Sequence, residues 1–154
     1  MALSPKEKYH GAVLYQVVGN PEFSLKLIER DKNKHDPGMY EVTTNTKTYV
    51  LFIKYRSQTQ MRLDFSCCDF SFLPAHIGSL RRYRGKELLV CLVCHDNHIC
   101  VLTRQDIEEL RLLQSNNSCG VTVRWQRGSE LTVRSKHSEL PWKIPRNRLK
   151  TFQW

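Results

Sequence analysis

The run from Glu87 to Thr103, ELLVCLVCHDNHICVLT, is the most apolar stretch of the chain, and its reading decides the fold class. It divides into two strands, Leu88–Cys94 and His98–Thr103. Asp96 and Asn97 stand between them, residue types that tolerate the positive φ of a two-residue hairpin turn. That turn predicts His95 opposite His98, Val93 opposite Cys100 and Cys91 opposite Leu102. The other face then carries Val90, Leu92 and Cys94 with Ile99, Val101 and Thr103. Apolar side chains on both faces mark inner strands covered on two sides.

Working outward, the segment before this hairpin predicts a short helix from about Pro74 to Arg84, closed by Gly85. After it, Thr103 and Asp106 form a helix-start pair, and Ile107, Leu110 and Leu113 give that helix a buried stripe. Gly120–Ser135 predicts a further hairpin with a three-residue turn, Arg127-Gly128-Ser129. Val121, Val123, Trp125, Leu131 and Val133 then share one face, and Arg124, Arg134, Thr122 and Thr132 the other. The tail, residues 141–154, contains two prolines and reads as extended.

The first third follows the same logic. Ser4, Pro5 and Glu7 are placed to start a helix whose face carries Tyr9, Val13 and Val17, and Gly19-Asn20-Pro21 stops it. Phe23–Arg30 alternates, with Phe23, Leu25 and Leu27 predicted inward. A polar loop over residues 31–38 leads to the hairpin Met39–Thr44 and Thr48–Arg56 around Asn45-Thr46. The second arm, TYVLFIKYR, is apolar on both faces until Lys54 and predicts a central strand. Met61–Ser66 alternates once more. Together these segments predict one α+β domain over residues 1–154, with about three helices and a mixed or mostly antiparallel sheet of several hairpins.

A chain of 154 residues that is 40% hydrophobic can bury a real core. Its net charge of +9 and pI near 9.4 suit a polyanionic partner. No run approaches the ~18–20 apolar residues of a membrane span. The N-terminal MALSPKEKYHG lacks the apolar centre of a signal peptide, which points to the cytoplasm, or to the nucleus in a eukaryotic or viral setting. The six cysteines are then expected reduced. No serine-nucleophile elbow, phosphate loop or dinucleotide fingerprint is present.

Cys91, Cys94, His95, His98 and Cys100 have the spacing of a zinc cluster. Strand parity argues against one: residues three apart on a strand point to opposite faces, while zinc needs four ligands within ~2.3 Å of one point. Buried cysteine packs as a small hydrophobe, so no metal is expected there.

The basic residues form two groups. Arg81, Arg82 and Arg84 sit at a predicted helix C-terminus, where cations also complement the helix dipole. From Cys119 onward, Arg124, Arg127, Arg134, Lys136, Lys143, Arg146, Arg148 and Lys150 face only Glu130 and Glu139. Arg124 and Arg134 fall as diagonal neighbours on one hairpin face, a repulsion that a bound anion relieves. Such a face with an extended basic tail can track a phosphate backbone. Tyr55, Tyr83, Trp142, Phe152 and Trp154 are interleaved with the cations and can stack on bases, although at least one of Trp142 and Trp154 is expected to pin the tail to the core.

A third constellation gathers carboxylates near a lysine. With Asn45-Thr46 at the tip, Pro37 falls opposite Lys54, which brings Asp36 to that end of the sheet, with Glu29 and Asp31 ending the strand before it. Over roughly the first 55 residues this layout resembles the restriction-endonuclease-like core: a helix, then three strands, an Asp opening the second strand and Glu-x-Lys closing the third. The resemblance implies a metal-dependent nuclease in which Asp36 holds Mg²⁺ and Lys54 stabilises the transition state. Phe52 stands where that family carries a carboxylate, so Glu29, Asp31 or Glu41 would have to substitute. Glu41 pairs near Val50, ~13 Å along the strand from Lys54.

The function expected from the sequence is therefore nucleic-acid binding through a basic C-terminal hairpin and tail, with no cofactor. The alternatives are a Mg²⁺-dependent nuclease centred on Asp36 and Lys54, and a module that docks an acidic protein partner.

Overall fold

The computed structural model describes residues 5–18, 24–29, 38–56, 59–62, 64–94, 98–152 and 154. In chain order, helix α1 (Pro5–Val18) precedes strands β1 (Ser24–Glu29), β2 (Gly38–Thr43) and β3 (Thr48–Arg56). Next come β4 (Gln60–Met61), β5 (Ser66–Phe72), α2 (Pro74–Arg82), β6 (Glu87–Cys94) and β7 (His98–Leu102). Helix α3 (Arg104–Glu109), a 3-10 turn at Leu112–Gln114, β8 (Cys119–Trp125), β9 (Thr132–Ser135) and the one-turn α4 (Arg148–Thr151) complete the described elements. The class is α+β, as expected, with the strands divided between two sheets.

The larger sheet has the order β1-β2-β3-β6-β7, the smaller one β4-β5-β8-β9. Strands β1, β2 and β3 form an antiparallel meander. β6 then lies parallel to β3, and β7 returns antiparallel to β6. The connection from β3 to β6 is long enough for a parallel crossover because it contains β4, β5 and α2.

Strand β3 is the hinge of the packing. Val50 and Phe52 face the smaller sheet and α2, meeting Phe70, Phe72, Ile77 and Leu80. Tyr49, Leu51 and Ile53 face the other way, onto Val13 and Val17 of α1 and Leu149 of α4. Covering both faces accounts for the unbroken apolar runs of β3 and β6. Each large side chain so buried contributes roughly 1.5–3 kcal/mol. Gly38 lets α1 sit close: a Cβ there would lie 2.5 Å from the His10 ring. His10 Nδ1 lies 3.1 Å from the Tyr40 hydroxyl.

Two hairpins keep the predicted register. Glu41 pairs with Val50, and the Thr44 amide donates to the Lys47 carbonyl at 2.8 Å across the Asn45-Thr46 tip. In the C-terminal hairpin Arg124 pairs with Thr132 and Thr122 with Arg134, while Gly128 supplies φ +76° in the turn.

The apolar hairpin is shifted by one residue. Cys94 pairs with His98, Val93 with Ile99, Leu92 with Cys100 and Cys91 with Val101. Three residues, not two, separate the paired ends. Because both faces are apolar, a slip exchanges one buried set for another, and the pattern alone cannot detect it.

Four other expectations change. The alternating strand Met61–Ser66 is only Gln60–Met61; the Arg62 amide donates to the Phe65 carbonyl and turns the chain there. The longer strand is β5, whose Cys68, Phe70 and Phe72 point inward and whose Asp69 and Ser71 are exposed. Leu25 and Leu27 are not inward: they are 38% and 46% exposed, since β1 is the terminal strand of its sheet and α1 covers its neighbours. In α3 the Thr103–Asp106 cap forms as predicted, but the helix ends early. Arg111 takes φ 56° and Leu112, not Leu113, is fully buried. The tail is not wholly extended: Ile144 bridges to Leu131, and α4 adds a helical turn.

Candidate nucleic-acid interface

The inner face of the smaller sheet is committed to the core through Cys68, Phe70, Val121, Val123 and Val133. Strand alternation therefore puts Asp69, Thr122, Arg124, Thr132 and Arg134 on the outer face. The Thr122 hydroxyl donates to Asp69 Oδ1 at 2.6 Å. The Arg124 guanidinium lies 4.0 Å from the centre of the Phe65 ring, a cation–π contact that holds its charge at the rim. Arg134 is exposed on the neighbouring strand, diagonal to Arg124 as expected. Burial pushes the Cys67 thiol up from its ordinary value, and Asp69 adds to the rise. The positive charges of Arg62 and Arg124 act in the opposite direction.

At the Phe65 end the sheet opens into a cleft of about 350 Å³. Arg62, Arg127 and Arg146 line it, with Asp64 as the one carboxylate among its lining residues. Phe65, His98 and Trp125 supply aromatic wall. The His98 and Trp125 rings are 5.0 Å apart, tilted at 58°. Arg146 is fixed by the β8–β9 turn: Nη2 donates to the Gln126 carbonyl at 2.7 Å and Nε to the Ser129 carbonyl. Arg62 and His98 were absent from the expected set of contacts. Arg62 reaches the cleft at the turn Arg62–Phe65, which leads directly into β5.

The other predicted cations are used differently. Lys143 is exposed. Arg148 Nη1 donates to Asp106 Oδ2 at 2.6 Å and to the Val101 carbonyl at 3.0 Å, so it ties the tail to the core. Arg81 donates to the carbonyls of Leu113 at 2.7 Å and Ser115 at 2.9 Å, joining α2 to the 3-10 turn. Arg82 and Arg84 are exposed beside it.

The aromatic residues are likewise drawn inward. Tyr55 stacks on Tyr9 at 4.0 Å, and Tyr83 packs against the core. Trp142 Nε1 donates to Asp106 Oδ1 at 2.7 Å, and the Trp154 ring lies 5.0 Å from Tyr49. Both tryptophans pin the tail.

The carboxylate–lysine constellation is only partly described. Asp36 and Asp31 lie outside the described residues, as does the side chain of Glu29, whose backbone pairs with Met39 in β1. The meander that the resemblance implied is present, and its described pairing ends at Gly38 opposite Ile53. Lys54 Nζ is 3.4 Å from His76 Nδ1 and 5.5 Å from the centre of the Phe72 ring. The same Nδ1 accepts the Leu73 amide at 3.1 Å. Phe52 is fully buried and stacks on Phe72 at 5.8 Å. Phenylalanine offers no metal ligand, and no group of three or more His, Cys, Asp or Glu among the described residues is placed to hold a metal ion.

Cys91 and Cys94 occupy opposite faces of β6, as parity requires. All six cysteines are buried free thiols. Among the described residues no helix is long and apolar enough to cross a membrane.

No family model matches the chain, and no curated protein does. Among solved structures, a Holliday junction resolvase, Hjc, from Archaeoglobus fulgidus is similar with a TM-score of 0.45 and 12% identity. The match covers 66% of this chain and 75% of that one.

Proposed function

We propose that the chain binds nucleic acid through the phosphate backbone, using the outer face of the smaller sheet and the cleft at its end. The carrying observation is the convergence of Arg62, Arg124, Arg127 and Arg146 at one end of that sheet. Among the described residues, the ion pairs engage other cations: Lys86 with Glu41, Arg104 with Glu108 and Arg148 with Asp106. Arg124 is held by an aromatic ring and Arg146 by two carbonyls, partners that carry no net negative charge to cancel theirs. Backbone neutralisation by such charges releases counterions and gives affinity with little dependence on sequence.

The test is filter binding with single- and double-stranded DNA and RNA at two salt concentrations, with and without Mg²⁺. The reading expects retention that falls steeply with salt and is indifferent to sequence. A tight stoichiometric complex with an acidic protein, and no retention of any nucleic acid, would replace it with the protein-docking alternative.

A further inference from the structure

The outer sheet face is open, but the cleft beside it is concave, and a concavity selects more than charge. Resting on the backbone-binding reading above, we propose that this cleft receives one unstacked base of a single strand.

At about 350 Å³ the cleft lies at the lower end of the range for small-ligand sites, about 300–1,000 Å³. That is the scale of one nucleotide. Its walls match one. Phe65, His98 and Trp125 give apolar ring surface, while Asp64, Ser66 and Gln126 offer acceptors and donors for a base edge. Arg62 and Arg127 stand among the same lining groups, so a base that enters leaves its flanking phosphates beside cations. Base-on-aromatic contact tolerates any sequence, because every base has a π face.

The walls are held in place before a ligand arrives. His98 and Trp125 lie ring against ring, Arg124 caps Phe65, and the Arg146 guanidinium locks the Gln126–Ser129 turn. Little side-chain freedom is then lost on binding. A duplex keeps its bases stacked inside and reaches such a cavity only by flipping one out, which costs unstacking and unpairing.

The experiment needs no variant. The full chain is titrated, by fluorescence anisotropy, with two labelled single strands of equal phosphate count, one carrying thymine bases and one abasic throughout, and with a duplex of the same length. The base-bearing strand is expected to bind about tenfold more tightly than the abasic one, the scale of one base stacked on an aromatic wall. It should also bind more tightly than the duplex. Equal affinity for base-bearing and abasic strands overturns the cleft inference and leaves backbone binding intact. Failure to bind any of the three overturns both.

Discussion

Arg148 Nη1 lies 2.6 Å from Asp106 Oδ2 and joins the last helical turn of the chain to the start of α3. Asp106 is 1% exposed, and its two oxygens also accept from the Thr103 amide, the Thr103 hydroxyl and Trp142 Nε1. A carboxylate this deep is tolerated because both of its oxygens are met by donors, one of them the Arg148 cation. Removing it strands the Arg148 charge and three donors. Asp106→Ala is expected to lose about 3 kcal/mol or more in urea unfolding, and Asp106→Leu with Arg148→Met distinctly less. Equal losses in the single and double variants would show that the ion pair is not the source of the cost.

The arginines divide by partner, and the division predicts two phenotypes. Arg124→Glu and Arg127→Glu should weaken nucleic-acid binding and lower the slope of log K against log salt by about one each, with unfolding midpoints nearly unchanged. Arg81→Ala removes charge-assisted bonds to two carbonyls and should cost about 1.5–3 kcal/mol of stability while leaving the salt slope alone. Binding and urea titrations on the three variants separate the roles.

Tyr55 is expected to ionise late. Partial burial raises its phenol from 10.0 to about 12, and the hydrogen bond and charge of Tyr9 add to the rise. Above pH 10 the unfolded chain therefore releases this proton before the folded chain does. The unfolded state then binds fewer protons, so stability falls between about pH 10 and 12 and is unaffected below. Ultraviolet difference titration should show a late phenolate phase that disappears in Tyr55→Phe. An unchanged late phase would refute the assignment.

Thiol chemistry should be silent in the native protein. Burial pushes the Cys91 thiol from 9.0 to about 12 and raises Cys100 further. The thiolate is the reactive form, so Ellman's reagent at pH 8 should label the chain only as fast as it opens, and all six thiols at once in urea. A rapid burst on the folded protein would contradict the burial of these cysteines.

With Phe52 in the core, the chain is expected to leave supercoiled plasmid uncut in Mg²⁺. Lys54→Ala should then retain nucleic-acid affinity, since Lys54 lies against His76 and Phe72, away from the basic face. Plasmid nicking that vanishes in Lys54→Ala would restore the nuclease alternative.

The sequence by itself determined those elements whose signal is local. The tip at Asn45-Thr46, the left-handed Gly128 in its turn, the Thr103–Asp106 cap and the opposed faces of Cys91 and Cys94 all follow from residue chemistry a few positions apart. Tertiary structure decided the rest. The register of β6 on β7 was invisible to a pattern apolar on both faces, and Leu25 and Leu27 look inward only until β1 is seen to be terminal. The grouping of Arg62 with Arg124, Arg127 and Arg146 needed β5 to pair with β8 across more than fifty residues of chain. Alternation and capping are read from neighbours in sequence, whereas a convergent charged surface is a property of strands that meet only after the core has closed.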